Sequence, residues 1–135
     1  MADKKNGTQD QPAAGPILTR SDDREDVYAN NIQFEWSIWD LKLLLGVLDQ
    51  TGGKLTIDQH TAVHLPWMQV KLMIYYLQIN LHVYEAQNGK LKLPPDLLPP
   101  VPDPLPSELK DNPMANTTRE FVLKLREEFV NANNA

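Results

Sequence analysis

The stretch from Trp67 to Gln87 constrains the fold most, because it contains neither glycine nor proline and is mostly apolar. Pro66 stands just before it, where the first turn of a helix tolerates proline. Asn88-Gly89 follows, and such a pair supplies the left-handed cap that ends many helices. The stretch therefore predicts one long helix.

The apolar residues of this helix form two stripes at helical spacing. The first stripe is Trp67, Val70, Ile74, Leu77, Leu81 and Tyr84, and the second stripe is Met68, Leu72, Tyr75, Ile79 and Val83. One small sheet covers only one side, and the other would expose side chains that gain about 1.5–3 kcal/mol each on burial. We expect that second side to meet another copy of the helix, as a homodimer or higher oligomer. The sequence leaves open which stripe does so.

Three segments before the helix have the alternation or composition of strands. They are residues 27–36, 39–48 and 54–63, and Gly52-Gly53 marks the second turn. Short connections between successive strands favour an antiparallel meander, and Lys90–Leu93 adds a possible fourth strand. The predicted fold class is α+β: a three- to four-stranded antiparallel meander, one long helix and a C-terminal amphipathic helix.

The flanking segments complete the predicted organisation around a core domain at residues 27–93. Residues 1–26 are polar and predict a disordered arm. Residues 94–115 hold most of the eleven prolines and predict a stiff, polyproline-like linker. Residues 116–135 predict a helix that is capped at Asn116 or Thr117.

The C-terminal helix carries a narrow apolar stripe of Phe121, Leu125 and Phe129, which predicts a docking helix. The extended spacer before it spans roughly 40 Å at about 3.1 Å per residue. That length allows docking on the same chain or on another. We favour a neighbouring subunit, because a stiff spacer does not fold back easily.

Composition excludes several function classes. The net charge of −5 and the scattered lysines do not form the basic face that nucleic-acid binding needs. The absence of cysteine excludes thiolate catalysis and cysteine-based zinc sites. The N-terminus lacks the apolar segment of a signal peptide, and polar residues interrupt the apolar helix too often for a membrane span. We predict a cytoplasmic protein without a cofactor.

Tyr28-Ala29-Asn30, Ser37-x-Trp39-Asp40 and Leu45-Gly46 form a recognisable set with several later positions. These are Pro66, Lys71, Leu77, Asn80, Tyr84-Glu85 and Gly89. The set resembles a family of small bacterial proteins known as a domain of unknown function, with a YAN…SxxD…FG…YE…G pattern. The resemblance covers about residues 27–94 and implies no activity. Leu45 stands where that pattern has an aromatic residue. In architecture alone, the chain is similar to the export chaperone SecB.

Candidate chemical sites are sparse. His60 and His64 are four residues apart, but a metal site needs three or four converging ligands, so we favour separate surface histidines. Glu35 and Asp40 are candidates for acid–base work, but we favour the simpler explanation that Asp40 is a strand residue near a turn.

Trp36, Trp39 and Trp67 form a candidate aromatic groove for an extended peptide, with core packing as the favoured alternative. No catalytic or metal-binding set emerges. We therefore interpret the chain as a non-enzymatic oligomeric interaction or scaffold protein with a protein partner. The alternatives are a SecB-like chaperone that binds extended polypeptides and a small enzyme of unknown class.

Overall fold

The computed structural model describes residues 15–135. The fold is α+β, as the sequence predicts: a three-stranded antiparallel sheet, a long helix and a C-terminal helix. The elements are β1 (Asn31–Trp36), β2 (Asp40–Asp49), β3 (Thr56–Pro66), α1 (Trp67–Asn88) and α2 (Pro113–Asn134). The chain divides into two compact units, Met1–Leu65 and Pro66–Ala135.

The N-terminal arm is described only in part, since residues 1–14 lie outside the described range. Residues 15–26 contain no helix or strand and are exposed. Whether the arm is disordered in solution stays a prediction.

The sheet of the first unit has the strand order β1-β2-β3. In the antiparallel β1–β2 register, Ile32, Phe34 and Trp36 lie opposite Leu45, Leu43 and Leu41, respectively. Alternate residues of a strand point to the same side, so these six residues share one side, which we call the apolar sheet face. The predicted alternation in the first strand is therefore confirmed.

The first strand begins at Asn31 rather than at Val27, and the physical reason lies in Asn30. The Asn30 backbone N–H donates to the carbonyl of Gly46 at 3.1 Å, while its Oδ1 accepts from the backbone N–H of Leu48 at 2.6 Å. The Asn30 side chain thus binds a backbone N–H of β2 that a longer β1 would have paired with one of its own carbonyls.

The β1–β2 turn contains no glycine or asparagine, and Ser37 closes it instead. Its Oγ accepts from the backbone N–H groups of Trp39 and Asp40, each at 3.1 Å, and donates to Asp40 Oδ1 at 2.8 Å. The Ser37 N–H also donates to the Asp40 carbonyl at 2.9 Å. Side-chain capping therefore replaces the conformational freedom that favoured two-residue turns obtain from glycine.

Gly46 lies where β2 and β3 approach closely. A Cβ atom built on it would lie 2.6 Å from the Asp58 carbonyl oxygen, which is far inside van der Waals contact. Just before β3, the predicted Gly-Gly turn is confirmed as one 3₁₀ turn, Thr51–Gly53. Gly52 and Gly53 there have φ angles of 80° and 75°, which glycine adopts without strain.

Helix α1 follows β3 directly along the chain and ends as predicted. Gly89 has φ 91°, and its N–H donates to the Glu85 carbonyl at 2.9 Å. Val70, only 9% exposed, is the one buried hydrophobic side chain among the described residues.

The predicted fourth strand at Lys90–Leu93 is wrong, because side chains bind its backbone groups. The Leu91 N–H donates to Glu85 Oε1 at 3.1 Å. The Leu93 N–H donates to Asn133 Oδ1 at 2.7 Å, and the Leu93 carbonyl accepts from Asn133 Nδ2 at 3.1 Å.

The predicted start of the last helix is also wrong. Helix α2 begins at Pro113, and Asn112 caps it by accepting from the N–H groups of Met114 and Ala115 at 3.0 and 3.1 Å. Asn112 with proline at the first helical position is the better N-terminal signal. Thr117 lies inside the helix, where its hydroxyl donates to the Pro113 carbonyl at 2.9 Å.

Candidate interaction surfaces

Two polar rows separate the two apolar stripes of α1. Successive residues are about 100° apart around an α-helix, so positions seven apart nearly coincide. One row, which we call the charged row, is Lys71, Gln78 and Glu85; the row on the other side is Gln69, Asn80 and Gln87. The charged row carries a cation at one end and an anion at the other, while the opposite row carries no charge.

Both predicted interface stripes are largely exposed. On the first stripe, Val70 is buried, and Leu81 lines a cavity of about 390 Å³ with Phe129 and Ala132 of α2, but the other five residues are 41–58% exposed. The second stripe is exposed along its full length, from 43% at Ile79 to 83% at Met68. Apart from Val70, the two stripes are therefore about equally open.

The apolar sheet face is a second open surface. Ile32, Phe34 and Trp36 on the edge strand β1 are exposed, and their β2 partners are half-buried. Large exposed apolar patches are uncommon on monomeric proteins and mark interaction sites.

The three tryptophans of the predicted groove lie in different surroundings. Trp36 is 77% exposed and Trp39 is 78% exposed, on either side of the Ser37 turn, while Trp67 opens α1 and is 41% exposed. Trp36 and Trp39 therefore do not form a core within their own chain. The grouping of all three into one groove stays a prediction.

The proline-rich segment 94–106, which we call the strap, runs antiparallel to α2 of the same chain. Arg126 Nε donates to the Pro99 carbonyl at 2.8 Å, and Arg119 Nε donates to the Asp103 carbonyl at 3.1 Å. Asn133 completes the series through its two bonds to Leu93. Arg119, Arg126 and Asn133 are seven residues apart, so one face of α2 supplies all three donors.

The chemistry of proline explains this pairing. Proline has a carbonyl but no N–H, so a proline-rich strap is mainly a row of hydrogen-bond acceptors. Arginine carries five N–H donors and no acceptor, which makes it the matching side chain. The spacing also fits, because four polyproline residues span about 12 Å and seven helical residues about 10 Å. Our sequence analysis missed these residues, although the heptad spacing of Arg119 and Arg126 beside a proline-rich strap was a readable signal.

Lys90 links the chain just before the strap to the C-terminal end of α2. Its ammonium group donates to the carbonyls of Ala132 and Ala135, the latter at 3.1 Å. The last carbonyls of a helix lack intrahelical partners and favour a cation. Lys90 and Asn133 therefore close the open end of the hairpin that the strap and α2 form.

The predicted docking stripe of α2 lies on a different face from the arginines. Phe121, Leu125 and Phe129 remain exposed beside the bound strap, and Phe129 also lines the cavity with Leu81. The helix returns along its own strap, so the 40 Å reach expected from a straight spacer is not used. Docking of this stripe on another subunit stays a prediction.

The candidate acid–base carboxylates have separate partners. Glu35 binds Lys42 at 2.7 Å, and Asp40 Oδ2 binds His64 Nδ1 at 3.0 Å. The hydrogen bond from His64, and next that from Ser37, holds the pKa of Asp40 below its ordinary value.

The two histidines named as possible ligands also have separate partners. His60 Nε2 lies 2.8 Å from the Tyr28 carbonyl oxygen, and His64 binds Asp40. Within residues 15–135, no group of three or more histidine and carboxylate side chains could hold a metal ion.

Six of the residues behind the family resemblance have structural roles in this fold. Asn30 fixes the start of β1, Ser37 and Asp40 close the turn, and Gly46 permits the close approach of β3. Glu85 and Gly89 end α1. These residues determine backbone geometry, so the chemistry of an interaction must be read from the apolar surfaces.

Residues 15–93 thus contain three antiparallel strands followed along the chain by a long helix. The chain belongs to the family described as Protein of unknown function (DUF3467), whose model matches residues 1–93. This confirms the resemblance, and the match begins earlier than expected because it includes the N-terminal arm. It leaves the strap and α2 outside.

No curated protein and no solved structure matches the chain. Among the helices within residues 15–135, none combines the length and apolar character needed to cross a bilayer.

Proposed function

We propose that the chain is a self-associating interaction protein, in which α1 forms the contact between copies. The observation that carries this proposal is that both apolar stripes of α1 are exposed along most of their length, with Val70 the one buried side chain of the helix. Five large side chains in a row along one face are a packing surface rather than scattered surface residues.

The energetics allow association. Two copies that bury their second stripes remove ten side chains from water, and full burial contributes about 1.5–3 kcal/mol per side chain. Four of the five side chains are only 43–58% exposed in the single chain, so roughly half of that gain is available. Association costs about 4–15 kcal/mol in lost freedom, and the gain and the cost are of the same order.

Light scattering after size-exclusion chromatography tests the proposal. At micromolar concentration the measured mass should be at least twice the chain mass of 15.4 kDa, and it should fall on dilution. A mass of one chain across the whole concentration series would overturn the proposal.

A second candidate function is the binding of extended polypeptides, as in a SecB-like chaperone. The apolar sheet face favours it, because an extended chain can present alternate apolar side chains to such a surface. Replacing Phe34 and Trp36 with serine should then abolish suppression of aggregation of an unfolded client. A parent protein that suppresses no aggregation at tenfold molar excess would exclude this candidate.

A further inference from the structure

Strand β1 lies at an edge of the sheet. Within residues 15–135, the strand order β1-β2-β3 leaves the outer side of β1 without a neighbouring strand, and all of its residues except Asn31 are exposed. Natural sheets protect such edges with proline, lysine or other charges, because an unpaired edge templates another strand. β1 contains no proline or lysine, and its one charged residue, Glu35, is paired with Lys42. The edge is therefore open to a strand of another chain.

The β1–β2 turn fixes which backbone groups reach the open edge. The Ser37 N–H donates to the Asp40 carbonyl at 2.9 Å, so this pair of residues is hydrogen-bonded. Such pairs alternate with non-hydrogen-bonded pairs along an antiparallel ladder, and the odd-numbered residues of β1 therefore turn their backbone groups toward β2. The even-numbered residues turn an N–H and a carbonyl each to the open edge; they are Ile32, Phe34 and Trp36.

This row of backbone groups matches a second copy of itself. An antiparallel strand that is related by a two-fold axis at Phe34 places Phe34 opposite its own counterpart, and Ile32 opposite Trp36 of the second copy. Each of these positions then forms a hydrogen-bonded pair, so every N–H of the edge meets a carbonyl. The paired residues point to the same side, so the apolar sheet faces of the two copies form one continuous surface.

The polar side of β1 identifies the occupant of the edge. In this register Gln33 lies opposite Glu35 of the second copy, as a non-hydrogen-bonded pair in which side chains approach closely, and this contact occurs twice. Gln33 Oε1 accepts from Gln59 Nε2 at 2.9 Å, which leaves the Gln33 amide group to donate. Glu35 Oε2 accepts from Lys42 Nζ at 2.7 Å, which leaves Oε1 to accept. A second copy thus supplies an acceptor for each donor.

We propose that the β1 strands of two copies pair antiparallel about a two-fold axis at Phe34 and join their sheets into one six-stranded sheet. This contact is separate from the α1 contact proposed above and does not require it. A shift of the register by two residues would place Gln33 against Gln33 or Glu35 against Glu35. A shift by one residue would place the apolar side of one strand beside the polar side of the other. The polar match therefore selects this register.

Disulfide trapping tests the register, and the absence of native cysteine makes the cross-linked species unambiguous. Ile32→Cys and Trp36→Cys replace side chains that are 51% and 77% exposed. A disulfide needs Cα atoms within about 7 Å. In the proposed pair, position 32 lies about 5.5 Å from position 36 of the second copy, but roughly 14 Å from position 32 of the second copy.

We expect each cysteine variant alone to remain a single chain on a non-reducing gel after mild oxidation, and an equimolar mixture to form the 32–36 cross-linked dimer. Cross-linking of each variant alone to the same extent as the mixture would overturn the inference. Association by light scattering without a mixed cross-link would also overturn it, while leaving the α1 contact intact. Single chains by light scattering, again without a cross-link, would overturn both proposals.

The initial rate of the 32–36 cross-link also tests the polar match. Gln33→Glu, added to both cysteine variants, places a carboxylate opposite Glu35 at both contacts, and like charges directly opposite destabilise a strand pair. We expect the rate to fall about fivefold. Adding Glu35→Gln as well restores one donor and one acceptor at each contact, so the rate should return to within about twofold of its starting value.

Gln50→Glu is the matched control, because it makes the same chemical change at an exposed position outside β1. It should leave the rate of the 32–36 cross-link unchanged. Equal rates with Gln33→Glu and Gln50→Glu would overturn the antiparallel register.

Discussion

The β1–β2 hairpin and the strap–α2 hairpin are two antiparallel pairings in one chain that are held together by opposite means. In the first, backbone groups pair with each other and side chains close the turn. In the second, Arg119, Arg126 and Asn133 bind carbonyls of a segment that has few N–H groups to offer. The comparison teaches that a proline-rich strap can dock in its own chain when a helix presents donors at heptad spacing.

The two pairings also differ in their relation to the family. The first lies within the matched residues 1–93, and the strap and α2 lie outside them. The β1–β2 pairing within the matched residues thus rests on backbone hydrogen bonds. The strap–α2 pairing outside them rests on side-chain hydrogen bonds. Substitutions that disturb one kind of contact should leave the other pairing in place.

The largest effect is expected from Gly46→Ala. The added Cβ would lie 2.6 Å from the Asp58 carbonyl oxygen, so β2 and β3 must shift apart at a cost of about 1–3 kcal/mol. Urea denaturation followed by tryptophan fluorescence would measure the loss. Gly15→Ala is the control, since nothing lies within 4 Å of its Cβ position. Equal stability of the two variants would show that the strands do not approach this closely.

A smaller effect is expected from the double variant Arg119→Met/Arg126→Met. Methionine keeps much of the apolar stem but removes the donors to Asp103 and Pro99, at about 1 kcal/mol for each lost bond. Limited proteolysis should then cut the segment 94–112 faster, while the unfolding transition of the sheet stays unchanged.

Lys124→Met is the control for the arginine variants. It removes a positive charge about 200° around the helix from Arg126. Equally fast proteolysis of the strap in Lys124→Met and in the double arginine variant would contradict the prediction. It would show that the hydrogen bonds from the arginines do not keep the strap on α2.

The smallest effect concerns pH and the β1–β2 turn. The hydrogen bonds from His64 and Ser37 hold the pKa of Asp40 below its ordinary 3.8. The folded state thus favours the carboxylate, and this stabilisation is fully present above pH 3.8 and is lost as the pH falls through the lower, folded-state pKa. Asp40→Asn should be less stable than the parent near neutral pH, and the difference should shrink in acid.

Melting temperatures of the parent and Asp40→Asn, measured from pH 7 down to pH 2, check this expectation. Ser37→Ala serves as the reference, because it removes one of the two partners and leaves His64. A difference that persists unchanged to the lowest pH would mean that the charge of Asp40 does not stabilise the turn.

Local signals in the sequence accounted for most of the fold. The alternation of β1, the Gly52-Gly53 turn and the Gly89 cap each act through nearest neighbours, and each was predicted correctly. The errors arose where a side chain competes with a backbone group. The Asn30 side chain shortens β1, and the Asn133 side chain binds the backbone N–H of Leu93. The Asn112 side chain caps α2 at an earlier position than expected.

The candidate surfaces were predicted less completely. The two stripes of α1 follow from helical spacing alone, but the sequence did not predict that Val70 would be the one buried side chain of the helix. The hydrogen bonds from Arg119 and Arg126 to the strap were missed because they join residues that are 16 and 27 positions apart. Heptad spacing in α2 shows only that the donors share a face, and not what that face meets.

The sequence by itself determined the order of strands and helices, the apolar stripes, the helix end at Gly89 and membership of the family, because these depend on local conformational preference and residue pattern. Only the tertiary structure decided that the strap binds α2 of its own chain and that both stripes of α1 stay largely exposed, with Val70 buried. The physical reason is that burial and hydrogen-bond satisfaction are properties of surfaces brought together by the whole chain. A sequence pattern predicts which residues share a surface, and the tertiary structure determines what covers that surface.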